Sequence, residues 1–102
     1  MSIKKRYFKN KGICKVTFGV SESEGNGVRK VHLVGEFNNW STSATPMKRS
    51  KKGGFTVSLD LHPGQEYQFR YLLDDNHWGN DTEADRSVET PYGGARNSVI
   101  VL

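Results

Sequence analysis

Cysteine is nearly absent from this chain of 102 residues, which holds Cys14 alone. One cysteine excludes an internal disulfide framework and a metal site built from several cysteines. Because Cys14 alternates with Val16 and Phe18, we expect a buried thiol and a reducing, cytoplasmic compartment. Long apolar runs are missing too, since no stretch approaches the ~18 apolar residues that span a bilayer. No apolar segment follows the basic N-terminus, so neither a membrane partner nor a secretory signal is expected.

Helical periodicity is also missing, because no window of about 11 residues repeats its apolar positions at helical spacing. The chain instead has short alternating segments with turns between them. The predicted strands cover residues 13–20, 29–36, 55–61, 66–73, 77–80 and 98–102. Residues 21–27 and 81–87 are expected as polar surface loops. Strands at this spacing predict an all-β fold, an antiparallel sandwich of about seven strands.

The predicted sandwich occupies residues 13–102 as a single domain, since a chain of this length supports one modest core. Residues 1–12 form a basic N-terminal lead-in, extended over residues 3–8. Charge is uneven: residues 1–52 carry 12 Lys and Arg against 3 Asp and Glu, whereas residues 53–102 carry 3 against 8. The basic clusters can serve nucleic acid or anionic lipid, or they can be solvated residues that protect strand edges.

Metal and catalytic motifs are lacking. His32, His62 and His77 are widely separated and have no partner at ligand spacing. The run from Asp74 to Asn76 does not have the register of a calcium loop, so no metal and no other cofactor is expected. No nucleophile carries a base-bearing motif, and the acids concentrate in loops rather than in a predicted cleft. The chain is therefore predicted not to be an enzyme.

Two tryptophans at strand ends are the strongest candidates for a binding site. The segment from Val31 to Trp40 begins as a strand, breaks at Gly35 and continues through two asparagines. Trp78 follows the next predicted turn, and Arg70 lies on the outward register of the strand before it. Aromatic rings can cover the apolar face of a sugar ring while arginine bonds its hydroxyls. From this pattern alone, each tryptophan serves equally well as a core residue.

Three ordered motifs resemble carbohydrate-binding module family 48. The segment from Val31 to Trp40 is similar to the family's (V/L)xGxFNxW signature, and residues 66–71 are similar to its E-Y-x-[FY]-[KR]-[FY] strand. Residues 91–99 are similar to its closing P-[FY]-G-G-x-N-S-V segment. The family includes the glycogen-binding domain of the AMP-activated protein kinase β subunit and the N-terminal domains of isoamylases and branching enzymes. The resemblance implies an immunoglobulin-like, "early set" sandwich that binds α-1,4-glucans.

The resemblance also implies a set of carbohydrate-binding residues. Trp40 and Trp78 match the sugar platforms, Arg70 matches a hydroxyl-bonding lysine, and Asn97 matches an asparagine that bonds the glucan. The chain lacks the leucine and threonine of the kinase-subunit domain, and Tyr92 is the candidate replacement for that leucine. The expected partner is glycogen, starch or a maltooligosaccharide, together with a glycogen-metabolising enzyme. The alternatives are a structural or protein-interaction module with little sugar affinity and, behind it, nucleic-acid binding through the basic N-terminal half.

Overall fold

Alternating segments of the chain pair into two antiparallel sheets in a computed structural model, which describes residues 1–90 and 95–102. The strands are β1 (Ser2–Phe8), β2 (Ile13–Val20), β3 (Val31–Gly35), β4 (Lys48–Arg49), β5 (Phe55–Leu61), β6 (Glu66–Leu73), β7 (His77–Gly79), β8 (Arg86–Glu89) and β9 (Arg96–Val101). Sheet A has the order β1-β2-β5-β4. Sheet B has the order β3-β6-β9-β8, with β7 also paired to β6. The predicted all-β antiparallel sandwich is confirmed, and within the described residues it has nine strands rather than about seven.

The core lies between the two sheets and is rich in aromatic rings. Phe18 of β2 meets Phe69 of β6 edge-on, with 5.2 Å between ring centroids. Phe69 in turn meets Tyr71 at 5.7 Å. Offset and edge-on ring pairs add to the free energy of burial. Since Phe69 and Tyr71 face the core, Gln68 and Arg70 between them face outward on sheet B.

The sequence predicts three strands with their observed bounds, residues 13–20, 55–61 and 66–73. The N-terminal residues, expected as an extended lead-in, form the strand β1, which pairs with β2 from Ser2 to Phe8. The polar loop predicted over residues 21–27 contains one helical turn, α1 (Glu22–Gly25). Its capping box explains the difference, because the Ser21 hydroxyl accepts from Glu24 N at 3.2 Å while the Glu24 carboxylate accepts from Ser21 N at 2.9 Å.

The prediction of an acidic surface loop over residues 81–87 is wrong at both ends. The last residues of that segment belong to strand β8. Asp81 is buried and accepts a hydrogen bond of 2.7 Å from the Tyr71 hydroxyl. Burial, followed by the nearby Asp81 carboxylate, raises the pKa of Tyr71, so the phenol stays protonated and donates. The Ser98 hydroxyl completes the cluster by accepting from Asp81 N at 2.8 Å.

No helix among residues 1–90 and 95–102 is long and apolar enough to cross a membrane.

Candidate functional site

The break after strand β3 depends on Gly35, which packs directly against strand β6. A Cβ atom at Gly35 would lie 2.6 Å from the Gln68 carbonyl oxygen and 2.7 Å from the Phe69 Cβ. Only glycine permits such a close approach. Phe37, two residues later, turns inward and packs with Phe18 and Phe69 at centroid distances of 5.9 and 6.4 Å. The glycine and the phenylalanine of this motif therefore have structural roles.

The turn itself is held by Asn38, whose side chain bonds in three directions. Its Oδ1 accepts from Gly35 N at 3.1 Å, and its Nδ2 donates to Leu33 O and to Thr45 Oγ1, both at 2.9 Å. Trp40 N then donates to Gly35 O at 2.8 Å. Trp40 has a φ of +59°, and the residue stays 39% exposed. A bulky residue rarely adopts positive φ, and such strained residues cluster at functional sites.

The second tryptophan is placed by the hairpin between β6 and β7. Asp74 and Asp75 have φ values of +57° and +83° in the three-residue turn, residues 74–76, where Asn76 N donates to Leu73 O at 3.3 Å. Strand β7 returns beside β6 and sets Trp78 opposite Leu72, on the outer face of sheet B. Trp78 is 49% exposed. Neither tryptophan belongs to the buried core.

A polar chain of three side chains lies between the two tryptophans. Arg70 Nε donates to Asn97 Oδ1 at 2.5 Å, and Asn97 Nδ2 donates to Gln68 Oε1 at 2.9 Å. The Arg70 guanidinium also lies over the Trp78 ring, with Cζ 5.8 Å from the ring centroid. This cation–π contact orients both groups. Among the described residues the Arg70 Nη atoms have no hydrogen-bond partner, so both remain available to a ligand.

These side chains line one open cavity of about 690 Å³, which we call the outer cavity. Its described lining consists of Val34, Glu36, Trp40, Thr42, Gln68, Arg70, Trp78, Glu89, Thr90 and Asn97. Val34 is buried directly opposite Arg70 and gives the cavity an apolar floor. An apolar surface with a few convergent polar groups is the usual construction of a ligand site.

The backbones of the two tryptophans reach the outer cavity at different points along strand β6. Trp40 is bonded to Gly35, which pairs with Phe69 next to Gln68. Trp78 pairs with Leu72, three residues further along β6 than Phe69. Three residues of an antiparallel strand cover about 10 Å. The cavity therefore suits an elongated ligand that has an apolar face at each end and hydroxyls in the middle.

The structure brings four of the predicted binding residues, Trp40, Arg70, Trp78 and Asn97, to this cavity. Tyr92, the fifth, lies outside the described residues. Sequence reasoning missed Gln68 and Glu36. The signal for Gln68 was present, because it shares the outward register of Arg70 two residues away. Glu36 gave no such signal, since its position depends on the turn after Gly35.

Metal ligands do not cluster in the described part of the chain. Residues 1–90 and 95–102 contain no group of three or more His, Cys, Asp or Glu side chains that could hold a metal ion. The outer cavity contains two described carboxylates, Glu36 and Glu89. Glu36 Oε1 accepts from Gln68 N at 2.7 Å, and Glu89 Oε1 pairs with Arg96 at 3.3 Å. Arg70, by contrast, belongs to no described ion pair.

The fold and this cavity define a class of protein, the β-sandwich modules that bind a ligand on one sheet face. Comparison with known proteins specifies the family. The model of the family described as the glycogen recognition site of AMP-activated protein kinase matches residues 23–101. The chain belongs to this family of carbohydrate-binding modules, and the resemblance stated from its motifs is confirmed.

Curated relatives agree with this assignment. The chain is 34% identical over 77 residues to Protein PTST homolog 2, chloroplastic, from Arabidopsis thaliana, with 76% of this chain and 13% of that protein covered. It is 39% identical over 56 residues to Protein FLOURY ENDOSPERM 6, chloroplastic, from Oryza sativa subsp. japonica, with 55% and 10% covered. It is 38% identical over 74 residues to 5'-AMP-activated protein kinase subunit beta-1 from Sus scrofa, with 72% and 55% covered. The chain thus spans between a tenth and about half of the length of these relatives.

Proposed function

We propose that this chain is a non-catalytic module that binds α-1,4-glucan, in the form of glycogen, starch or a maltooligosaccharide, in the outer cavity. The observation that carries the proposal is that two exposed tryptophans, Trp40 and Trp78, line the same cavity. Arg70 and Asn97 lie between them, where they meet the hydroxyls of a sugar whose ring faces rest on the indoles. Membership of a glycogen-recognition family supports the same ligand.

The carboxylates of the outer cavity support a role in binding alone. Glycoside hydrolysis needs an acid and a second carboxylate on either side of the scissile bond. Glu36 accepts from a main-chain nitrogen, and the Glu89 side chain is paired with Arg96 and 82% exposed. An exposed, paired carboxylate lacks the apolar surroundings of a catalytic acid. These surroundings favour a module without hydrolytic activity.

Binding is expected to be weak, because the cavity is open and buries little of a ligand. A dissociation constant of about 0.1–1 mM corresponds to about −4 to −5.5 kcal/mol. Titration with maltoheptaose and retention on insoluble starch measure it. Replacing Trp40 or Trp78 with alanine should weaken binding by more than about tenfold while the domain stays folded. Tyr7→Ala is the matched control, since Tyr7 is 51% exposed on strand β1 of the other sheet. If Trp40→Ala and Trp78→Ala bind maltoheptaose as tightly as the control Tyr7→Ala does, the proposal is contradicted.

The nucleic-acid alternative depends on aromatic rings among the basic residues of β1. Phe8 is already covered, with Arg6 Cζ at 5.1 Å and Lys11 Nζ at 5.7 Å from its ring centroid. That occupied ring argues against base stacking. Varying the salt in the retention assay separates the two functions. Retention on starch should persist at high salt, whereas binding to nucleic acid would fall steeply with salt.

Docking onto a glycogen-metabolising enzyme is a further part of the proposal. It is motivated by the lengths of the relatives, of which this chain matches only a part. Co-purification with a glucan-active enzyme, retained by a Trp40→Ala/Trp78→Ala variant, would support a docking role that does not use the outer cavity. The cytoplasmic location stays a prediction, and cell fractionation tests it.

A further inference from the structure

We propose that Glu36 and Gln68 form a second hydroxyl-binding pair at the Trp40 end of the outer cavity, with Gln68 Nε2 as the donor and Glu36 Oε2 as the acceptor. The inference rests on the proposed function, because its ligand is the same glucan. It assigns two ligand-contacting residues beyond Trp40, Trp78, Arg70 and Asn97. Both side chains line the cavity, and Glu36 is exposed.

The orientation of Gln68 follows from the chemistry of its neighbours. Arginine nitrogens only donate, so the Asn97 atom that faces Arg70 Nε at 2.5 Å is the amide oxygen. The Asn97 nitrogen then faces Gln68 at 2.9 Å and requires an acceptor there, which is Gln68 Oε1. Gln68 Nε2 is left at the end of this chain of bonds. Within the described residues it has no partner, and it is free to donate to a ligand.

Glu36 is fixed next to Gln68 through the main chain. Its Oε1 accepts from Gln68 N at 2.7 Å, so one carboxylate oxygen holds the side chain against strand β6. The other oxygen, Oε2, has no described hydrogen-bond partner. A carboxylate oxygen is a stronger acceptor than a neutral one. A donor and an acceptor therefore lie together at Gln68. The donor is the Gln68 side-chain Nε2, and the acceptor is Oε2 of Glu36, whose other oxygen is bonded to the Gln68 main-chain nitrogen.

This pair adds a charged acceptor to a part of the cavity that is rich in donors. The Arg70 Nη atoms and the remaining Asn97 N–H all donate, whereas the neutral oxygens Asn97 Oδ1 and Gln68 Oε1 each already accept one hydrogen bond. A sugar hydroxyl also has a proton to donate, and that proton needs an acceptor. Glu36 Oε2 accepts it, while Gln68 Nε2 donates to the same or the neighbouring hydroxyl. With Trp40 at this end of the cavity, one glucose residue has its apolar face and its hydroxyl edge satisfied together.

Isosteric exchanges test the pair with little change of shape. Glu36→Gln keeps an oxygen for Gln68 N but replaces the free acceptor with a donor. Gln68→Glu keeps the oxygen for Asn97 but replaces the free donor with an acceptor. Each should weaken maltoheptaose binding by about 3–10-fold, the usual net effect of one hydrogen bond. The double variant Glu36→Gln/Gln68→Glu exchanges donor and acceptor, and its affinity should recover to within about threefold of the parent chain.

Glu83→Gln, which removes a charge from an exposed residue outside the cavity lining, is the matched control and should bind as the parent does. Thermal unfolding of every variant shows that the fold is kept. If both single variants bind within twofold of the parent, or if the losses add in the double variant, the pair is overturned while glucan binding stands. If the parent chain itself does not bind maltoheptaose, the proposed function fails instead.

Discussion

Two surface cavities of similar size lie among residues 1–90 and 95–102, and their linings differ in kind. The outer cavity on sheet B measures about 690 Å³, and a second cavity beside sheet A measures about 620 Å³. The lining of the second cavity includes Lys4, Thr17, Gly19, Glu22, Glu24, Lys52 and Thr56. Its charged and hydroxyl side chains contrast with the two tryptophans and the bonded Arg70–Asn97–Gln68 chain of the outer cavity.

The contrast teaches that cavity size and charge are poor guides to function here. In the second cavity, both signs of charge stand on exposed side chains, where water solvates them well and screens their interactions. In the outer cavity, Arg70 is fixed by Asn97 and stacked on Trp78. A fixed donor beside an exposed ring has little conformational freedom to lose when a ligand binds.

The largest predicted effect is on the free energy of unfolding, when Gly35 of the β3 turn or Gly19 beside the second cavity is replaced with alanine. Gly35→Ala should destabilise the domain by about 2–4 kcal/mol, because the new Cβ meets main-chain and Cβ atoms of strand β6. Gly19→Ala, beside the second cavity, should change stability by less than about 1 kcal/mol. There the Cβ meets the Ser2 Oγ at 2.6 Å, and that hydroxyl can rotate away. Denaturant unfolding measures both, and equal costs would contradict the account of the β3 turn.

A smaller effect distinguishes the two ends of the outer cavity. At Trp40, where φ is +59°, glycine should be more stable than alanine by about 0.5–1 kcal/mol, since it tolerates the left-handed region. At Trp78, which lies in strand β7, the order should reverse by a similar amount. Unfolding of the four variants provides the comparison. Alanine more stable than glycine at position 40 would show that Trp40 is not strained.

The smallest effect concerns Asp85, which links β1, at the edge of the second cavity, to sheet B. Partial burial favours its neutral form, but hydrogen bonds from Lys5 Nζ at 2.6 Å and Val101 N at 2.7 Å outweigh burial, and the pKa of Asp85 is lowered. A lowered pKa contributes stability above the unfolded value of about 3.9. That contribution is lost as the pH falls through the folded pKa.

Urea midpoints between pH 7 and pH 3 measure this contribution. The difference in urea midpoint between the parent chain and Asp85→Asn should be largest near neutral pH and should shrink as the solution becomes acidic. Lys5→Met should remove much of the same pH dependence, because it removes one of the two donors. A gap that stays constant down to pH 3 would exclude an electrostatic role for Asp85.

Much of the fold could be predicted from the sequence, because alternation reports burial directly. Strands such as β2 and β6 have one apolar face, so their bounds and inward residues follow from period two. Strand β1 was expected only as an extended lead-in, since edge strands carry charge that hides their pattern. Lys5 shows why: its amine crosses to Asp85, a partner 80 residues away. The residues next to Lys5 and Asp85 in the sequence do not predict such a contact.

The candidate site could be predicted only in part. The motifs gave Trp40, Trp78, Arg70 and Asn97, and the structure places all four around one cavity. The sequence left both tryptophans open between core and surface, because exposure depends on the Gly35 turn and on the β6–β7 hairpin. Glu36 was missed for the same reason, since its carboxylate reaches Gln68 N on the neighbouring strand β6 only because of the Gly35 turn.

The central claim is that glucan occupies the outer cavity and leaves the second cavity empty. Nuclear magnetic resonance titration of the labelled domain with maltoheptaose tests it most directly. The indole N–H signals of Trp40 and Trp78 and the side-chain amide signals of Asn97 should shift together with one dissociation constant. Signals from Thr17, Gly19 and Thr56 should stay in place. Shifts confined to the second cavity, or none at either cavity at millimolar sugar, would contradict the account.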